Sequence, residues 1–163
     1  SQAVKTAAFA AALLERLAGA VEALRAVMDH PQLGGPGFLS VQFPALAGGR
    51  ADVSAQFPNI SEALYRRVVR RELDRQELLA AGAPAELLRL DPEFTAEGGG
   101  VVQAAVRVPR PLPAVEEGVA SRTARDRTLA LLAAALERRY PDMSVRRLGM
   151  DLLLTPIRRE TTR

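Results

Sequence analysis

Few residues in this chain are of a kind that performs chemistry. The only histidine, His30, follows Asp29 directly. Adjacent side chains on a helix do not face each other, so the two do not form a dyad. A histidine in the last helical turn is favoured by the helix dipole alone. The pair Glu116-Glu117 lies in a connector flanked by proline, an unsuitable place for a pocket that shifts a carboxyl pKa. Gly98-Gly99-Gly100 precedes an apolar alternating run rather than a helix, the reverse of a dinucleotide-binding turn. The only lysine is Lys5, so no phosphate-binding loop with its lysine exists, and no Gly-x-Ser-x-Gly elbow is present. With no cysteine, thiolate nucleophiles, thiolate metal sites and disulfides are excluded. These observations predict no catalytic, metal or cofactor site.

Arginine is the residue type that remains. Arg66, Arg67, Arg70, Arg71 and Arg75 fall on roughly half the circumference of a helix beginning after Asn59. Such a stripe offers bidentate donors to phosphates or carboxylates. Asp74 and Glu77 interrupt it, and Glu62–Arg66 and Arg70–Asp74 have the spacing of intrahelical ion pairs. The whole chain is only weakly positive, with 22 basic and 19 acidic residues for a net charge of +3. Its pI of about 10.1 reports the use of arginine in place of lysine. With 4% aromatic residues and no tryptophan, few platforms exist for stacking bases.

The elements that must position these residues follow from periodicity. The chain has 163 residues, the length of one domain: a helix over residues 1–30, which either spans the domain or projects from it, and a core over 34–157. In the first helix Ala10, Leu13, Leu17, Ala20, Leu24 and Val27 recur at three-four spacing. Leu13, Leu17, Leu24 and Val27 either pack on the chain's own sheet or are candidate contacts for a second copy or a partner, the small residues Ala10 and Ala20 permitting close approach. Leu39, Val41 and Phe43, then Val53, Ala55 and Phe57, alternate with polar residues and predict an antiparallel pair buried on one face. A capped helix follows Pro58, and a short one is predicted over Ala85–Leu90 after Pro84. Val101–Val108 reads as a third strand, a helix starting at Ser121 or Thr123 runs through Tyr140, and Val145–Leu154 reads as a fourth strand with Leu148, Met150, Leu152 and Leu154 in alternation. The expected fold is α+β: a two-layer sandwich of one mixed four-stranded sheet with helices mainly on one face, preceded by a long helix.

No apolar run reaches the length of a membrane span, and the N-terminus lacks a signal pattern, so a cytoplasmic protein is expected. Elimination then points to a non-enzymatic structural or scaffold subunit that self-associates or binds a protein partner. Nucleic-acid binding through the arginine helix is the alternative.

Overall fold

The computed structural model describes residues 2–29, 37–43, 50–57, 63, 66, 67, 71, 85–88, 100–107 and 121–157. Helix α1 (Gln2–Met28) is followed by β1 (Phe38–Gln42), β2 (Arg50–Phe57), β3 (Ala85–Leu88) and β4 (Gly100–Arg107). Helix α2 (Ser121–Arg139) then leads into β5 (Met143–Leu148) and β6 (Asp151–Pro156). The strands form one sheet in the order β3-β4-β2-β1-β6-β5, and every neighbouring pair is antiparallel. The fold is therefore α+β with a long first helix, but the sheet is larger than expected and not mixed.

Two local differences account for the additional strands. Residues 85–88 are not a helix; they pair antiparallel with β4, Leu87 opposite Ala104 and Ala85 opposite Val106. Pairing with an existing strand outweighs the modest helix preference of Ala, Glu and Leu. The stretch Val145–Leu154 is not one strand but a hairpin. Gly149 takes φ +59°, a left-handed conformation that suits glycine, and reverses the chain between Leu148 and Asp151. The reversal breaks the alternation: Leu152 and Leu154 are buried, whereas Leu148 is 51% exposed.

Period-two patterning succeeds on the central strands. Leu39, Val41, Val53, Ala55 and Phe57 are all buried on one face, and Phe43 packs against the same cluster. Val102, Ala104 and Val106 of β4 continue that face. Gly37 stands where a Cβ would lie 2.1 Å from the Gln56 carbonyl oxygen, so only glycine fits beside β2 as β1 begins. The opposite face is polar at its centre, where Ser40 and Ser54 are direct cross-strand partners and both nearly inaccessible. Asp52 lies beside them, paired to Arg50 through Nε at 3.1 Å.

Helix α1 does not project. Its 27 residues extend about 40 Å at 1.5 Å per residue, and it packs on β1, β2, β3 and β4 and against α2. Helix α2 completes that layer over β5, placing Leu129, Leu132 and Leu136 in the same core. No helix among the described residues is long and apolar enough to cross a membrane.

Candidate interaction surfaces

The apolar stripe of α1 belongs to the core. Leu13, Leu17, Leu24 and Val27 have no exposed surface at all, and with Val21 and Met28 they cover the sheet. The face that the sequence offers to a partner is therefore given to the chain's own strands. What α1 turns outward is different: Val4, 67% exposed, together with the exposed Ala7, Ala8, Ala11 and Ala12.

Of the arginine stripe, Arg66, Arg67 and Arg71 are described, each exposed and on helical backbone. Arg70 and Arg75, and most of the helix expected after Asn59, lie outside the described residues, as do His30, Glu116 and Glu117.

A charged seam ties α1 to the end of α2. Arg139 reaches Glu15 at 3.1 Å and Glu22 at 3.9 Å. Arg25 pairs with Asp142 in the turn before β5, and its guanidinium lies 5.5 Å from the centre of the Tyr140 ring. These are solvent-exposed pairs, and exposed pairs contribute about 0–1 kcal/mol each. Their role is to set how α1 lies along α2 rather than to hold the fold together. Tyr140 faces inward, as its place in the helical stripe predicts, and its hydroxyl is buried with no well-formed hydrogen bond among the described residues.

Burial raises the Tyr140 pKa above its usual value of about 10, and the nearby Glu22 charge adds to the rise. Arg139 and Arg25 pull it part of the way back. A group with a raised folded pKa contributes stability that is complete below the unfolded value and lost as pH climbs through the folded one. The protein should therefore lose stability above about pH 10 in a way that Tyr140→Phe does not. At neutral pH the Phe variant should be as stable as the parent or more so, since it removes a hydroxyl without a well-formed hydrogen bond. Denaturant melts at neutral pH and above pH 10 check both statements, and a neutral-pH loss of more than about 1 kcal/mol would mean the hydroxyl is bonded.

The last surface is the sheet edge at β5, which among the described residues has β6 on one side only. Ile157 N–H donates to the Asp142 carbonyl at 2.9 Å. In an antiparallel ladder the even-numbered residues of β5 thus turn their backbone groups toward β6, and Val145 and Arg147 turn theirs outward. Arg146 and Leu148 are exposed beside this edge, and Arg147 pairs with Asp126 of α2. Sequence patterning missed the edge because the alternation of Leu148, Met150 and Leu152 runs on through the turn. The signal available was Gly149 with Asp151 shortly after it, a turn composition inside an apolar run. Protein-family models and curated proteins, searched for similarity to this chain, give no match.

Proposed function

We propose that this protein is a non-enzymatic structural subunit that works through protein–protein contacts in a larger assembly. The observation that carries the reading is the exposure of Arg66, Arg67 and Arg71, each on helical backbone. Arginine is enriched at protein interfaces because its planar fork makes several directed bonds to carboxylates and carbonyls while its stem and face pack against apolar surface. The same arginines support nucleic-acid binding as the second reading, through phosphate contacts.

Replacing Arg66, Arg67 and Arg71 together by Gln separates the two. All three side chains are exposed, so the fold and its melting temperature should hold. As an assembly surface, the trio should be needed for the largest species in solution, and their population should fall about tenfold or more in the variant, a loss of about 1.4 kcal/mol. The measurement is mass distribution by sedimentation, repeated with duplex DNA. Tight DNA binding that weakens with salt at a log–log slope near −0.9 per phosphate contact, and that the triple variant abolishes, would replace the assembly reading with the nucleic-acid one.

A further inference from the structure

We propose that two copies of this chain join edge to edge through β5, antiparallel about a two-fold axis at Val145, so that their two sheets become one. The inference rests on the assembly reading and specifies its first contact, with a second copy as the partner.

Three features of the edge select that arrangement. First, the backbone groups of Val145 and Arg147 point away from β6 and make no hydrogen bond within the described residues, a consequence of the ladder register set by Ile157 and Asp142. An antiparallel strand centred on Val145 pairs Val145 with Val145 of the second copy, and Arg147 with its Met143, whose carbonyl accepts from the Arg147 N–H because the Met143 N–H already donates to the Tyr140 carbonyl at 2.9 Å. All of these are odd-numbered residues, as the outward groups require.

Second, side-chain charge picks this register over its neighbour. Arginine on an edge strand ordinarily discourages pairing. Centred on Val145, Arg146 stands opposite Ser144 of the second copy, with Asp142 on one diagonal, within reach of a long side chain, and the second Arg146 on the other diagonal rather than directly opposite. Arg25 already holds Asp142 from its own chain, and the second copy's Arg146 adds a cation on the other side. Centring the pair on Arg146 instead would set two arginines face to face, a destabilising like-charge pair.

Third, the helix layer leaves room. The Arg147–Asp126 pair marks the flank of α2 that lies above β5. Ala130, Ala133 and Glu137, four, seven and eleven residues on, share that flank by helical periodicity. Ala130 is exposed and Ala133 half-buried, so two α2 helices related by the axis meet through small side chains.

The test is mass as a function of concentration by sedimentation equilibrium, with two variants. Val145→Pro removes the central outward N–H, which the monomer's own ladder does not use, and should abolish the dimer while the monomer stays folded. Ser144→Asp places a carboxylate opposite Arg146 twice per dimer and should tighten association several-fold. The amides of Val145 and Arg147 should exchange with deuterium more slowly as concentration rises. A wild-type chain that stays monomeric at its highest soluble concentration overturns the proposal, as does a dimer that Ser144→Asp leaves unchanged. Should Val145→Pro fail to fold, Ser144→Asp and the exchange of the two amides decide alone. Failure here is distinct from failure of the assembly reading, because the arginine trio governs the largest species and β5 the step from monomer to dimer.

Discussion

Val41→Asp is expected to abolish cooperative folding. Val41 has no exposed surface and stands in the sheet between Val53 of β2 and Leu152 of β6, facing the layer of helices. The described core residues include no cation to pair with a carboxylate there. Burying it uncompensated costs several kcal/mol, and the total stability of a domain is about 5–15 kcal/mol. The chain should populate a state that unfolds without a sharp transition in urea. One residue along, Gln42 is exposed on the opposite face, and Gln42→Thr should shift stability by only about 0.5 kcal/mol. The contrast between neighbours is the test of register, because a slip by one residue would exchange their environments. A Val41→Asp protein with an unchanged urea midpoint would contradict the register of β1.

Removing residues 1–28 should leave a chain that does not fold. The sequence alone allows a helix that docks on another molecule, in which case the remainder would stand by itself. The structure leads to the opposite expectation, since Leu13, Leu17, Val21, Leu24 and Val27 are buried in full against the sheet. Each large aliphatic side chain contributes about 1.5–3 kcal/mol by burial, and five of them match the entire stability of a domain. The truncated chain should lack the side-chain packing signal in near-ultraviolet circular dichroism at Tyr140 and should bind hydrophobic dyes. Leu24→Ala in the full chain is the milder version, expected to cost about 2–5 kcal/mol. A truncated protein with a sharp thermal transition would show that α1 is an accessory to the core.

How much of this could be read beforehand depended on how local each decision was. The inward faces of β1 and β2 were legible because a two-residue period leaves no other arrangement that hides Leu39, Val41, Val53 and Ala55 together. The extents of α1 and α2 were legible for a similar reason: long three-four periodicity, ended in α2 by Pro141, admits one conformation. The β5–β6 hairpin was not. Leu148, Met150, Leu152 and Leu154 keep one alternation across the turn, so hydrophobic patterning gives no sign of the reversal that Gly149 makes. Nor was β3, a segment whose residues favour a helix in isolation and which becomes a strand through the ladder of β4. The candidate surfaces followed the same division. Arg66, Arg67 and Arg71 stayed outside, as charge predicts, while the edge at β5 exists only because strand order leaves it terminal.

The amino-acid sequence by itself therefore determined which segments are helical or extended over most of the described chain, which side of each is apolar, and that no cysteine or histidine-based chemistry beyond one residue is available. Those properties arise from neighbours a few positions apart. Tertiary structure decided what covers the apolar side of α1, the antiparallel direction of every strand pair, and which strand lies at the edge. Periodicity states that a face must be buried but carries no information on whether the covering surface comes from the same chain. That choice was made by the sheet, whose own apolar face needed a helix as long as α1 to cover it.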